Sequence, residues 1–267
     1  MYKRILLTGA AGLLGQYLRP ELHTRWPIRS CDVRPIDKKL PGEETVTCDL
    51  ADREAIFKAV EGCDAVLHFG AISIEGTFDQ ILQANINGTY NVFEGARRAG
   101  TKRVIFASSN HAIGYYPREA HIDSDAQPRP DTYYGVSKSF GESLGSMYWS
   151  KYGIEHASLR IGSCREEPVD RRGLSTWLSF RDLHQMIVRC LEAQRLGYAI
   201  VYGQSNNTRA WWDNSKVSHL GYQPQDNAEK FAPALLKDAK VENPEDPAVK
   251  YMGGVFCTDN PPKWPTN

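Results

Sequence analysis

A tyrosine and a lysine stand four residues apart in Tyr134-Gly135-Val136-Ser137-Lys138. On a helix this spacing puts both side chains on one face, where the Lys138 ammonium favours the ionised phenol and makes Tyr134 a proton acceptor near neutral pH. The spacing selects Tyr134 over its neighbour Tyr133. Taken alone, the same pattern arises in many surface helices. A second group of polar residues gives it chemical meaning: the apolar run that starts at Arg103 ends in Ser108-Ser109-Asn110-His111. Burial does not explain four consecutive polar side chains, and polar residues at a strand tip usually face a site. Ser109 lies 25 residues before Tyr134 and can meet it across a cleft. His111 alone reads as a structural histidine before a catalyst. Asn85, in Ala84-Asn85-Ile86-Asn87-Gly88, reads as a structural amide holding a water or a backbone carbonyl.

The elements that position these groups alternate strand and helix. Ile5-Leu6-Leu7-Thr8 is a short buried strand, followed by Gly9-Ala10-Ala11-Gly12-Leu13-Leu14-Gly15 and a helical run through Leu22. A glycine turn between strand and helix is where a dinucleotide pyrophosphate binds, because the backbone can approach closely and the helix start offers free amides. The spacing is Gly-x-x-Gly-x-x-Gly rather than the general Gly-x-Gly-x-x-Gly, so a plain tight turn stays open as a reading. Asp32 lies 17 residues past Gly15, where a second strand ends. Its carboxylate can accept from ribose hydroxyls and repel a 2′-phosphate, which favours NAD over NADP. Arg34 blurs that preference, and a solvated loop acid is the alternative. Val46-Thr47-Cys48-Asp49-Leu50 reads as a third strand, with an amphipathic helix over 51–60 that turns Ala55, Ile56 and Val60 inward. Asp49 then either faces the adenine or caps that helix.

Ala65-Val66-Leu67-His68 continues as a fourth strand into Phe69-Gly70-Ala71, small residues against which a cofactor can lie, with Ser73 following at that edge. The run from Arg103 is the fifth strand, residues 114–131 form a long loop rich in Pro, Asp and Arg, the Tyr134 helix runs to about 152, and a strand covers 156–162. The expected fold is α/β, a Rossmann-type doubly wound parallel sheet with a small C-terminal substrate-binding cap. Residues 1–165 form the NAD-binding core with its catalytic helix, and 166–267 the cap and C-terminal helices, packed on the core as one unit. Trp211-Trp212 is expected in the core, a helix follows Leu220-Gly221-Tyr222-Gln223-Pro224, and 250–256 is strand-like.

Composition limits the partners. The 267 residues carry 32 basic and 32 acidic side chains, with no basic cluster to draw nucleic acid or an anionic membrane. No segment has the length and apolarity of a signal or a membrane span, so a cytoplasmic protein is expected. The six cysteines lack Cys-x-x-Cys pairing and read as buried thiols, and no metal is expected.

The ordered pieces Thr8-Gly9-Ala10-Ala11-Gly12-Leu13-Leu14-Gly15, Asp32, Asp49-Leu50, Ser108-Ser109 and Tyr134-x-x-x-Lys138 resemble the extended short-chain dehydrogenase/reductase family over at least residues 3–165. That branch uses the Gly-x-x-Gly-x-x-Gly spacing. The resemblance implies that Lys138 also holds the nicotinamide ribose and that Ser109 steadies the reacting oxygen. Most extended members act on nucleotide-sugars and carry a larger C-terminal region than the roughly one hundred residues after Ser163. Longer stretches, Ala107-Ser108-Ser109-Asn110-His111-x-Ile113-Gly114-Tyr115-Tyr116-Pro117, Arg160-Ile161-Gly162-Ser163-Cys164, Leu174-Ser175-Thr176-Trp177 and Trp211-Trp212-Asp213-Asn214-Ser215, are similar to the members that oxidise free hexuronates. They imply oxidation of the C1 hydroxyl of D-galacturonate or D-glucuronate by NAD to an aldarolactone. The implied substrate set is Ser73, Ser109, Asn110, His111, Ser163 and Arg172, with Tyr134 as base. The implied cofactor set is Gly9, Gly12, Leu13, Leu14, Gly15, Asp32, Asp49, Leu50, Phe69, Gly70, Ala71, Tyr134 and Lys138. Arg172 has an independent argument, since a planar guanidinium clamps a carboxylate with two parallel hydrogen bonds. The doublet Arg171-Arg172 leaves its register open by one. Family members often pair through the helices corresponding to 85–99 and 134–152, so a homo-oligomer is expected. Two other functions fit the same motifs. A sugar or nucleotide-sugar epimerase or dehydratase would retain NAD and return the hydride, and a non-catalytic dinucleotide sensor would tend to lose the Tyr-x-x-x-Lys pair.

Overall fold

A computed structural model describes residues 2–258. In chain order the elements are β1 (Ile5–Thr8), α1 (Leu13–His23), β2 (Ile28–Asp32), β3 (Glu44–Thr47), α2 (Arg53–Val60), β4 (Ala65–His68), α3 (Phe78–Ile81) and α4 (Gly88–Ala99), with a π-helical turn at Leu82–Asn87. Then come β5 (Arg103–Ser109), α5 (Tyr133–Tyr152), β6 (Glu155–Ile161), β7 (Ser163–Cys164), α6 (Gly173–Thr176), β8 (Trp177–Leu178), α7 (Phe180–Glu192), β9 (Tyr198–Gly203), α8 (Ala232–Leu236) and α9 (Pro247–Lys250).

Seven parallel strands form one sheet in the order β3-β2-β1-β4-β5-β6-β9. Residues alternate across it. Ile5 and Leu7 of β1 enter the apolar layer beneath α1 and α7, with Leu18, Leu22, Leu183 and Ile187. Leu6 enters the opposite layer with Ile56, Val92, Phe93 and Tyr148, from α2, α4 and α5. The parallel register pairs Thr8 with both Cys31 and His68, and Ser109 with Ile161, so the carboxyl ends of the central strands lie side by side. Strand order reverses between β1 and β4, the place where doubly wound sheets hold a ligand.

The seven-stranded sheet matches the expected α/β class, but several details differ. The strand near residue 46 ends at Thr47, and α2 begins at Arg53 with Asp52 as its cap, accepting the Ala55 amide at 3.1 Å. Asp49 is therefore not the cap; it turns the chain by accepting the Ala51 amide at 2.9 Å. The buried residues of α2 are Ile56, Ala59 and Val60, with Ala55 half-buried. The core extends beyond residue 165, because α7 lies under the sheet and β9 pairs with β6 along its length. Residues 250–256 are not a strand: α9 ends at Lys250, Tyr251 makes a single bridge to Pro117, and Gly254 at φ +66° opens a 3-10 turn. Trp212 is buried and Trp211 partly so, in a satellite cluster with Tyr202 and Met252.

Candidate active site

All nineteen residues singled out from the sequence as catalytic, substrate-binding or cofactor-binding line one cleft of about 1030 Å³ at the carboxyl ends of the strands. At one end the β1–α1 turn comes into contact with the β4 exit. A Cβ on Gly9 (φ +72°) would lie 2.7 Å from the backbone of Phe69 and Gly70, and one on Gly15 would lie 2.2 Å from the Gly9 carbonyl. Among the described residues no side chain caps α1 at Gly12, and these uncapped first amides fit a pyrophosphate. Asp32 sits at the tip of β2 with one carboxylate oxygen on the Ala11 amide (2.9 Å) and the other on the Arg34 amide (3.0 Å). The carboxylate thus braces the glycine turn while facing the cleft. Arg34 donates to the Ala11 carbonyl at 2.6 Å and stands 3.6 Å from Asp32. Thr8 accepts the Phe69 and Gly70 amides at 3.2 and 3.1 Å, and His68 Nδ1 lies 2.8 Å from the same hydroxyl.

At mid-cleft, α5 presents Tyr134 and Lys138, both buried. Thr132 caps this helix through the Gly135 amide at 3.0 Å, and the Glu75 carboxylate accepts the Tyr134 amide at 3.2 Å. Burial pushes the Tyr134 phenol up to about 12, against the downward pull of a hydrogen bond with Ser109. Ser109 and Tyr134 do meet. The Lys138 ammonium lies 5.4 Å from the Tyr134 ring centre and donates to the Ala107 carbonyl at 2.8 Å; burial draws it down to about 7. The spacing argument expected Lys138 to favour the phenolate. In the protein alone desolvation outweighs it, because both charged forms are penalised in the same dry pocket. Asn85 clamps the backbone of Ile72 through both amide atoms (2.8 and 2.9 Å) and donates to Ser137 at 3.0 Å, tying the β4 exit loop to α5.

The far end is built by β5, β7 and the segment after α9. Arg172 donates from Nε to the Met252 carbonyl at 2.7 Å and from Nη1 to the Ser163 hydroxyl at 3.2 Å. The Asn110 amide, oriented to satisfy its neighbours, donates to the Ile161 carbonyl (3.1 Å) and accepts from Arg172 Nη2 (2.7 Å). Among the described residues Arg172 makes no ion pair, and burial lowers its guanidinium to about 10, so it stays a cation at neutral pH. Arg171 is exposed and stands 3.7 Å from Glu242. His111 Nδ1 lies 2.7 Å from Asp131, and its ring stacks on Phe256 with centroids 3.9 Å apart. Ser73 lines the cleft from the exposed β4 exit loop.

Sequence reasoning missed the segment from Met252 to Phe256, which forms a strap over this end. Arg118 anchors it by donating to the Tyr251 (3.3 Å) and Ala248 (2.7 Å) carbonyls. The adjacent Gly253-Gly254 is the one sign in the sequence of a backbone that must come close to something; a Cβ on Gly254 would lie 2.8 Å from Arg172.

The family model of NAD dependent epimerases/dehydratases matches residues 5–212. A uronate dehydrogenase of Pseudomonas putida is 47% identical over 262 residues, covering 97% of each chain. The crystal structure of uronate dehydrogenase from Agrobacterium tumefaciens is similar at 47% identity and TM-score 0.93, covering 97% of each chain. A tyrosine-to-alanine mutant of that enzyme complexed with NAD is similar at 46% identity and TM-score 0.95, over 98% of this chain and 99% of that one.

Proposed function

The chain belongs to the NAD dependent epimerase/dehydratase family, and from that premise we propose that it oxidises the C1 hydroxyl of a free hexuronate, D-galacturonate or D-glucuronate. The products are the aldarolactone, NADH and a proton. The observation that carries this reading is Arg172: a half-buried guanidinium that makes no ion pair among the described residues, in the wall of the cleft that also holds Tyr134 and Ser109. A cation kept there unpaired suits a ligand carboxylate, the group that distinguishes a hexuronate from a neutral aldose. Asn110 and Ser163 fix its orientation, with Ser73 and His111 along the same wall as further sugar contacts.

NAD, when bound, supplies the hydride acceptor and a positive charge. The residues for holding it are the uncapped start of α1 with Gly9, Gly12, Leu13, Leu14 and Gly15, Asp32 toward the adenosine ribose, and Asp49 and Leu50 beside the adenine. Phe69-Gly70-Ala71 forms the floor, and Lys138 serves the nicotinamide ribose. Tyr134 takes the proton of the C1 hydroxyl as the C1 hydride departs, and the Ser109 hydroxyl, whose influence lowers the pKa of that phenol, steadies the reacting oxygen. The electron pair of the broken C–H bond leaves as hydride and the O–H pair closes the C1 carbonyl. An epimerase would instead return the hydride and accumulate no NADH.

The experiment is direct. The protein is mixed with NAD and a panel of hexuronates, neutral aldoses and UDP-sugars, and NADH absorbance is followed; sustained NADH with free uronates alone is expected. Turnover of UDP-sugars without net NADH overturns the assignment. Arg172→Ala is expected to lose about 2–5 kcal/mol, roughly thirty- to several-thousandfold in kcat/KM, falling to the parent's rate on galactose. Arg171→Ala is expected to keep the preference. We place the enzyme in the cytoplasm as a homo-oligomer. Supporting this are six unpaired thiols, and exposed Tyr90 on α4 with Val136, Met147 and Tyr152 on α5. Light scattering on a size-exclusion column tests the second point.

A further inference from the structure

We propose that Cys31 and Cys48 form a redox modification site beside the dinucleotide, a thiol pair that a peroxide converts to a disulfide and that thereby controls NAD affinity. The proposal rests on the reading that the adenosine half of NAD lies between Asp32 and Asp49. Cys31, the penultimate residue of β2, lies opposite Val46 of β3, and the Cys48 amide extends that ladder by donating to the Asp32 carbonyl at 3.0 Å. Alternate residues share a face, so Val46, Cys48 and Leu50 pack on the same apolar layer as Cys31. Cys48 comes diagonally over Cys31, with the two sulfurs 3.1 Å apart. Both are free thiols and both border the cleft, beside Asp32, Asp49 and Leu50.

A buried cysteine is ordinarily a small apolar filler, as Cys190 is in the layer beneath α1 and α7. The pair at the cleft differs in access. Cys31 is buried but Cys48 only half so, and an oxidant entering the cleft meets Cys48 first. Their hydrogen bond draws the Cys48 thiol below its ordinary range and pushes Cys31 up, so the accessible sulfur is also the one that ionises first. Its thiolate attacks one oxygen of hydrogen peroxide, the O–O bond breaks, and hydroxide leaves a sulfenic acid on Cys48. The Cys31 sulfur then displaces the sulfenic hydroxyl, which departs with the Cys31 proton as water. Two thiols and one peroxide give one disulfide and two waters, the sulfurs losing the two electrons that the peroxide gains.

A disulfide holds its sulfurs about 2.0 Å apart, so the contact must close by about 1 Å. The edge strand β3 can follow, because β2 is its one neighbour and its residues are exposed or half-buried. Leu50 cannot. Its carbonyl is held by the Asn91 amide at 2.9 Å, and it packs so closely on α4 that a Cβ on Gly88 would lie 2.7 Å from its own. Closing the pair therefore pulls Cys48 away from a fixed Leu50 and displaces Asp49 between them, on the side assigned to the adenine.

Reduced protein and protein treated with hydrogen peroxide are compared by peptide mass mapping and by fluorescence titration of NAD. A linked Cys31–Cys48 peptide lighter by two hydrogens is expected, with NAD affinity weaker by about tenfold, and a dithiol reductant is expected to restore both. By reciprocity NAD favours the reduced pair, so saturating NAD is expected to raise the reduction potential, read in glutathione buffers, by about 30 mV for each tenfold. Cys48→Ser and Cys31→Ala, each compared with its own untreated form, are expected to keep their NAD affinity through the same treatment. Should one of them fail to fold, the other carries the comparison. Peroxide treatment that leaves the pair unlinked, or a linked pair with unchanged NAD affinity, overturns the proposal, as does a variant that loses affinity as the parent does. If the reduced parent binds no NAD, the cofactor reading falls and takes this with it; if the reduced parent binds NAD and oxidation changes nothing, this alone falls.

Discussion

At the scale of the residue, desolvation sets the state of both members of the Tyr134–Lys138 pair. The phenol is held near 12 and the amine near 7, so neither is charged by default at mildly alkaline pH. The reaction needs a phenol that can accept a proton, and the Ser109 hydrogen bond is the feature of this chain that lowers its pKa. Tyr134→Phe is expected to abolish turnover while leaving NAD binding nearly intact, checked by NADH formation and by titration of NAD. Activity within tenfold of the parent sinks the assignment. Tyr133, 40% exposed and packed edge-on against Phe78, is expected to tolerate the same change. Local spacing was enough to tell these two tyrosines apart, because a helical face has a fixed period. It was not enough for Arg171 and Arg172, which lie in a loop without one; only the packed strap shows that Arg172 turns inward. The Asp131–His111 contact spans twenty residues of irregular chain and left no periodic sign at all.

At the scale of the element, the β1–α1 turn is the tightest part of the site. Gly15→Ala would drive a methyl to 2.2 Å from the Gly9 carbonyl, so turn or helix must shift. Overpacking of this kind costs about 1–3 kcal/mol, a fall of roughly 2–12 °C in Tm for a domain of this size. The variant is expected to melt lower by calorimetry and to lose most of its NAD affinity; parent-like affinity counts against a pyrophosphate at this turn. The strands and helices up to β6 were legible because each buried run is followed by glycine or a polar tip. Further on, the helix expected after Pro224 is present as α8, but β9 and α7 were not legible. β9 is a six-residue run of mixed aromatic and aliphatic residues that periodicity does not separate from loop, and α7 shows its apolar stripe only once the sheet beneath it is known. The strap departs from strand geometry because Gly254 adopts a left-handed backbone.

For the whole molecule, the two fully buried histidines predict how stability depends on pH. His68 at the tip of β4 and His156 in β6 are both pulled down to about 3 by burial, and His184 is shifted in the same direction. Below pH 6.5 the unfolded chain binds protons that the native chain refuses, so their contribution is complete above 6.5 and is lost as pH falls toward 3. Each fully buried ring then costs about 1.4 kcal/mol per pH unit. Urea unfolding at pH 7.0 and 5.5 is expected to differ by roughly 3 kcal/mol, and equal midpoints exclude the effect. The position of β9 has a further consequence for the order in which the protein can be made. Every residue assigned to the dinucleotide and to proton transfer precedes residue 165, yet the strand that covers β6 begins at Tyr198. A growing chain, or a fragment cut at 165, therefore exposes β6 as a bare sheet edge of seven residues, six of them meant for the interior. Such edges recruit other strands. Fragment 1–165 is expected to scatter light as a self-associated species rather than yield a small NAD-binding protein, and a monodisperse fragment that binds NAD would show that the first six strands suffice.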